Sequence, residues 1–203
     1  MPYNKEGEWI DNGRWGETNN SSQRRGIYFF NRYLRDKTVL DIGCGHSSIT
    51  EDAFTYDQIE NENYDATFMK EIGNEMFDVV YASHVLEHLM IPYLALRNWW
   101  RILRVDGFLI IAVPDRDLYE GKRELPSRWN VDHKMFFLSN REDLPYTINF
   151  SSFIRSCLID KEYEIEYMDV CGDDVVDSFP NESWSKDHPF PEYQIEMVVK
   201  KLA

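Results

Sequence analysis

Three short apolar runs most constrain what this chain can fold into: "TVLDIG" at 38–43, "FDVVYAS" at 77–83 and "GFLIIAVP" at 107–114. Each is nearly continuous in apolar residues rather than alternating. That pattern predicts strands covered on both faces, as at the centre of a parallel sheet. Between the second and third run, "PYLALRNWWRILR" (92–104) predicts a helix, with Pro92 in its first turn and arginines at its end. Asp106-Gly107 then turns the chain into the next strand. A strand–helix–strand crossover of this kind belongs to a doubly wound α/β sheet.

The flanks extend that frame. Residues 1–21 are polar, with Trp9 and Trp15 in Gly/Asn-rich surroundings, and are expected to form a loose or ligand-covering arm. "SSQRRGIYFFNRYLRD" (21–36) predicts a helix capped by Ser21 or Ser22, with Ile27, Phe30, Tyr33 and Leu34 on one face. "NFSSFIRSCLIDKEY" (149–163) predicts another, its stripe formed by Phe150, Phe153, Ile154, Cys157 and Leu158. "YEIEYMDV" (163–170) and "YQIEMVV" (193–199) alternate like strands and are expected to pair antiparallel at a sheet edge. At 203 residues one domain is expected. Within it, 1–37 is read as an arm and helix and 115–147 as a substrate-covering insertion.

A net charge of −14 repels phosphate backbones and anionic lipid. The basic clusters, Gln23-Arg24-Arg25 and Lys122-Arg123, are too short to form a patch. No nucleic acid and no membrane is expected as partner; a small-molecule acceptor is, acted on by a monomer or homodimer. The three cysteines, Cys44, Cys157 and Cys171, are sparse and odd in number, and no apolar stretch is long enough to span a bilayer. A soluble, cytoplasmic protein with reduced thiols is the expectation.

"VLDIGCGHSS" (39–48) is a strand running into a glycine turn, the place where open α/β sheets hold ligands. Gly43 and Gly45 let a ligand lie against backbone. Asp41, just before them, would repel a dinucleotide's pyrophosphate but suit a ligand carrying an ammonium and a sulfonium. "VLDIGCG", "FDVVYASHVLEHL" and "RILRVDGFLIIAVPD", in this order over 38–115, resemble three motifs of the class I S-adenosylmethionine-dependent methyltransferases. "PSRWNVDHKMFF" is similar to a subgroup associated with saccharide biosynthesis. The resemblance implies a Rossmann-like, mostly parallel seven-stranded sheet with an antiparallel C-terminal hairpin, and S-adenosylmethionine as cofactor. It implies a cofactor site built from Asp41, Gly43, Cys44, Gly45, Asp57, Asp65, Ala66, Ser83 and His84. Asp57 would take the ribose diol, Asp65 the adenine amine and the Ala66 amide a ring nitrogen. Only 11 residues separate Gly45 from Asp57, too few for a helix of about 11 residues and a strand of about 5. The first crossover helix is therefore expected to be missing or reduced to a turn, with "FTYD" (54–57) as the second strand.

"HVLEH" (84–88) also fits H-x-x-E-H, a zinc peptidase pattern with His84 and His88 as ligands and Glu87 as general base. Pro92 limits its helix to about two turns and no long second helix offers a third ligand. The motif is accordingly read as pocket-lining, with no metal expected. The segment 115–147 is long enough to be functional and carries Tyr119, Arg128, Trp129, Asp132, His133 and Lys134. Of these, Tyr119, Arg128 and Trp129, with His88, are the expected substrate contacts. His133 is the expected base, oriented by Asp132 or Asp115, which stands second as a catalytic candidate. A cofactor-binding protein without chemistry of its own is the alternative to an enzyme, because methyl transfer needs mainly positioning.

Overall fold

The computed structural model describes residues 2–10, 17–172 and 193–203. A six-stranded sheet forms the centre. Its strands are β1 (Val39–Ile42), β2 (Phe54–Tyr56), β3 (Phe77–Ser83), β4 (Leu103–Pro114), β7 (Tyr163–Cys171) and β8 (Gln194–Lys201), in spatial order β2-β1-β3-β4-β8-β7. The first four run parallel, whereas β8 is antiparallel to both β4 and β7. A parallel core with an antiparallel terminal hairpin is what the sequence pattern implies.

The strand count is a correction: six strands, not seven, pair in the main sheet among the described residues. The stretch between β2 and β3, including "YDATFM" (64–69), folds as successive turns. The expected loss of the first crossover helix is seen, since residues 43–53 hold turns and a single bridge from Thr50 to Tyr3 but no helix. Two short strands, β5 (Phe136–Leu138) and β6 (Thr147–Asn149), form a separate parallel pair, which Phe137 bridges to Asp115.

Each sheet face has its own core. On one, α2 (Pro92–Ile102) and α3 (Phe150–Cys157) cover Leu40, Ile42, Val80, Ala82, Leu109, Ile111, Met197 and Val199, with both Trp99 and Trp100 buried. Trp99 also donates its indole N–H to Ala66 O at 2.8 Å, holding the turns before β3. On the other face, α1 (Glu17–Phe29) and a π-helical turn (Phe30–Leu34) cover Val39, Val79, Tyr81, Phe108, Ile110 and Val198. Ser21 and Ser22 do not cap α1, because it begins at Glu17 and both serines are buried within it. Ser21 Oγ accepts from Gln194 Nε2 instead (2.9 Å). Ile27 is exposed, since Gly26 (φ +60°, ψ −165°) kinks the helix and rotates that position off the buried stripe. The arm is not loose where it is described: Tyr3 is fully buried and its hydroxyl donates to Ser22 O at 2.7 Å. Trp15 lies outside the described residues.

The α1 face also buries an ion pair. Glu196, on β8, is fully buried and accepts from Arg25 Nη2 (2.6 Å) and Nε (2.9 Å) and from Arg24 Nη2 (2.8 Å). The two arginines are thus spent on an internal carboxylate rather than on a basic patch. Burial pushes the Glu196 carboxyl up, but the charge and hydrogen bonds of Arg25 outweigh it and bring it down to about 2. Its stabilising contribution is present above the unfolded carboxyl value of about 4.3 and is lost as pH falls toward 2. Replacing Arg25 by Met removes the buried partner of Glu196 and leaves the partly exposed Arg24 as its remaining arginine. The expected loss in urea unfolding is about 3–5 kcal/mol, against less than about 1 kcal/mol for Arg24→Met, whose side chain is 37% exposed.

Candidate active site

The sheet order sets the C-terminal ends of β2, β1, β3 and β4 side by side, so Asp57, Gly43, His84 and Asp115 follow one another along one edge. Gly43 (φ +68°) turns the chain out of β1, and its amide donates to Tyr56 O at 2.9 Å. A Cβ on Gly43 would lie 2.3 Å from Val85 Cγ2, so only glycine lets the turn close on the residues after β3. At Gly45 (φ +56°) a Cβ would meet no atom within 4 Å. The turn is therefore tight on one side and open on the other. The Gly45 amide donates to Asp57 Oδ2 and the Ile59 amide to Oδ1, both at 2.8 Å. Each carboxylate oxygen keeps accepting capacity beyond those bonds.

Beneath the turn Asp41 is 1% exposed and accepts from the Ile49 amide at 2.6 Å. Burial, reinforced by the nearby Asp57, pushes its carboxyl up to about 8. Cys44 is half-buried and its thiol is pushed up to about 12, again chiefly by burial, which suits a packing role. Asp65 is exposed; its amide donates to Tyr56 Oη at 3.1 Å and its Oδ1 accepts from Thr67 N at 2.8 Å. These bonds tie the Asp65-Ala66 turn to the end of β2. The residues present fit a ligand with a diol, an adenine and a cationic amino-acid end. A backbone wall, a carboxylate beside it and a buried carboxyl below it are all in place.

Next to this turn four rings meet. Ser83 ends β3 in a buried position, and His84 follows it with φ +56°, a left-handed conformation that costs a non-glycine residue about 1 kcal/mol or more. The strain is held by the His84 amide donating to Ala112 O (2.9 Å) and by His84 Nε2 against Gln194 Oε1 (3.0 Å). Leu86–His88 is a single 3-10 turn. Around the buried Glu87 Oε1 stand His84 Nδ1 at 3.6 Å, His88 Nε2 at 3.9 Å and His133 Nε2 at 4.0 Å. The Tyr119 ring lies 6.0 Å from that of His133 and 6.2 Å from that of His84. The Lys134 amide donates to Glu87 O (2.7 Å) and pins the 115–147 segment to the 3-10 turn.

Several expectations need correction. His133 is oriented by neither Asp132 nor Asp115. Its Nδ1 bonds the buried Glu120 at 2.9 Å, while Asp132 reaches His88 Nδ1 at 3.3 Å. Burial pushes the Glu120 carboxyl up, but bonds from His133, Ser127 and the Arg128 amide outweigh it and hold it below the usual range. The Asp115 carboxylate is occupied as a helix cap, accepting from the amides of Asp117 and Leu118. Arg128 is exposed and stacks on Trp129, whose indole donates to Tyr119 O at 2.8 Å. The peptidase helix is absent, because one 3-10 turn cannot place both histidines of H-x-x-E-H on a helical face. The sequence alone does not single out Glu120 or Gln194. The one available signal was a pair of polar residues, Gln194 and Glu196, two apart in an otherwise apolar strand. A concavity of about 680 Å³ lined by Arg97, Trp100, Arg101 and Lys201 sits at the opposite end of the parallel strands, away from this chemistry.

Residues 19–149 match the methyltransferase domain family. No curated protein matches the chain. Among solved structures, an S-adenosylmethionine-dependent methyltransferase from Archaeoglobus fulgidus superposes with a TM-score of 0.51 at 17% identity, covering 89% of this chain and 92% of that one. The 4+2 cyclase SpnF superposes at 0.52 with 12% identity, over 97% of this chain and 86% of its own. A chain from the Haloferax volcanii complex of the Trm112 methyltransferase activator gives 0.53 at 14%, over 87% and 88%. At such identities the likeness shows the fold.

The raised Asp41 carboxyl has a consequence for stability. A carboxyl lifted to about 8 by burial favours folding below its unfolded value of about 3.9, and this contribution is lost as pH rises through 8. Ligand-free protein should therefore lose stability between pH 6 and 9, and Asp41→Asn should remove at least about 1 kcal/mol of that loss. Urea unfolding across the range checks it; parallel curves for the two proteins would show that Asp41 is ionised in the fold.

Proposed function

We propose, for a chain that belongs to the family of S-adenosylmethionine-dependent methyltransferases, that it methylates a hydroxyl or amine of a small polar acceptor. A sugar or nucleotide sugar fits best. The observation that carries this reading is the meeting of His84, His88, His133 and Tyr119 beside the glycine turn. Two of these rings, His133 and Tyr119, are carried by 115–147. A wall of hydrogen-bonding rings suits a hydroxylated molecule, and the net charge of −14 disfavours nucleic acid. The resemblance of "PSRWNVDHKMFF" to saccharide-associated relatives points the same way.

S-adenosylmethionine supplies an electrophilic methyl group on a sulfonium. Asp57 would hold the ribose, Asp65 and the Ala66 amide the adenine, and the Gly43–Gly45 turn with Asp41 the amino-acid end. The acceptor would lie against His88, Tyr119 and Trp129. His133 would take the proton of a hydroxyl acceptor, with Glu120 rather than Asp132 or Asp115 fixing its ring.

Three measurements test this. S-adenosylhomocysteine at 100 times its dissociation constant should stabilise the fold by about 2.7 kcal/mol, with no comparable melting shift from NAD. Asp57→Ala should weaken that binding by about 1.5–3 kcal/mol; unchanged affinity would move the ribose to another acid. With a panel of sugars, nucleotide sugars and amines, mass spectrometry should find one methylated product. For a hydroxyl acceptor, His133→Ala should lower its turnover about 100-fold with cofactor affinity nearly unaltered. Binding without methylation of any acceptor would leave a protein that only holds the cofactor.

A further inference from the structure

We propose that Glu87, His88 and His133 form a binding site for a divalent first-row transition metal, with zinc the best-matched ion. The ligand atoms of these three residues lie within 4.8 Å of one another. His88 Nε2 and His133 Nε2 face the same oxygen, Glu87 Oε1, at 3.9 and 4.0 Å. Donors around one tetrahedral zinc, each about 2.0–2.2 Å from it, stand about 3.4 Å apart, so the two Glu–His distances need a contraction of about half an ångström and the widest pair, within 4.8 Å, up to about 1.4 Å, within reach of side-chain rotation.

The protonation pattern argues for a cation at that point. A carboxylate only accepts hydrogen bonds. His133 Nδ1, bonded to Glu120 at 2.9 Å, and His88 Nδ1, bonded to Asp132 at 3.3 Å, must therefore carry the ring protons. In each neutral ring this leaves the lone pair on Nε2, the atom turned toward Glu87. Two lone pairs and a carboxylate, with Glu87 1% exposed, converge on one place. Two negative dipole ends and a negative charge are mutually repulsive in a buried site unless a proton or a cation lies between them.

The surroundings have the form that metal-ligating histidines require. Such a ring donates its second N–H to a carboxylate or carbonyl, which fixes its tautomer and raises its basicity. Both rings do so here, one of them to the buried Glu120. The loop carrying His133 is tied to the ligand turn by the Lys134 amide on Glu87 O (2.7 Å). His84 Nδ1, 3.6 Å from Glu87 Oε1, turns a third imidazole nitrogen toward the same place, its Nε2 proton going to Gln194 Oε1. Two imidazoles and one carboxylate leave coordination positions open, the arrangement of sites that act on a bound molecule rather than merely staple a fold. Donors of this type favour zinc over magnesium, which takes oxygen ligands. Placed beside the glycine turn, the open position would take the acceptor's oxygen, and the bound cation would ease loss of its proton in place of His133, whose Nε2 would then be a ligand and not a base; that role rests on the methyl-transfer reading, whereas the site itself does not.

The test uses the full chain with its purification tag removed and its metal stripped by chelation. Calorimetric titration with zinc chloride should give one equivalent bound, and magnesium chloride none at equal concentration. His88→Gln, at a half-buried position, and Glu87→Gln should each weaken zinc binding at least 100-fold, and Glu120→Gln about 10- to 100-fold. On the unaltered protein, cobalt(II) should develop visible absorption bands that zinc displaces, a readout independent of any variant's folding. Failure of the wild type to bind zinc, or affinity unchanged in His88→Gln and Glu87→Gln, would overturn the site. S-adenosylhomocysteine binding, measured on the same metal-stripped protein, reports separately on the methyltransferase reading.

Discussion

Glu196 holds its negative charge on β8 beneath α1, and the packing of that face is organised around answering it. β8 is covered on both faces, so the carboxylate has no water to turn to. Arg25 reaches in from α1 with two nitrogens, and Tyr81 Oη accepts from its third at 3.1 Å. This fixes the angle at which α1 lies on β3 and β8. The same network continues outward: Gln194 Nε2 donates to Ser21 Oγ and its Oε1 meets His84 Nε2. The buried ion pair is thereby connected through one side chain to the first histidine of the site. A buried network of this kind is of value only when every member is satisfied, and here its last member faces the site.

The site itself depends on what is missing from the crossovers. With no helix between β1 and β2, the chain from Gly43 to Ala53 has few backbone bonds of its own. Side-chain carboxylates supply them: Asp41 takes the Ile49 amide and Asp57 the Gly45 amide. Acids that a helical crossover would leave free for a ligand are partly used here to hold the turn. The two carboxyl groups proposed to meet the ligand are thus the ones that hold the local backbone.

The 115–147 segment is a small folded unit rather than a solvated loop. Phe137 is fully buried against Phe150, and Arg116, 1% exposed, donates to Asp143 and Thr147. Its rigidity is what lets Glu120 and His133, thirteen positions apart, meet at 2.9 Å. The cluster of three imidazoles around Glu87 is likewise assembled from two distant stretches, joined by one backbone bond.

The chain's local patterns determined the parallel centre, the α2 crossover, the antiparallel hairpin and the glycine turn, because each is written in short-range signals of apolar runs, caps and turns. The spacing from Gly45 to Asp57 also forced the loss of the first crossover helix, since chain length is a local constraint. Tertiary structure alone decided the rest. Alternation in "YQIEMVV" gives Gln194 and Glu196 to one face of a strand but does not say that α1 covers that face. Only the packing buries them and makes Arg25 their counter-charge. The turns of 64–69 are held by the indole of Trp99, remote in sequence. The partners of His88 and His133 depended on which acid the folded insertion carried to each ring. Asp132, adjacent in sequence, points to His88, and Glu120, remote in sequence, reaches His133, because hydrogen-bond partners are selected by distance in space.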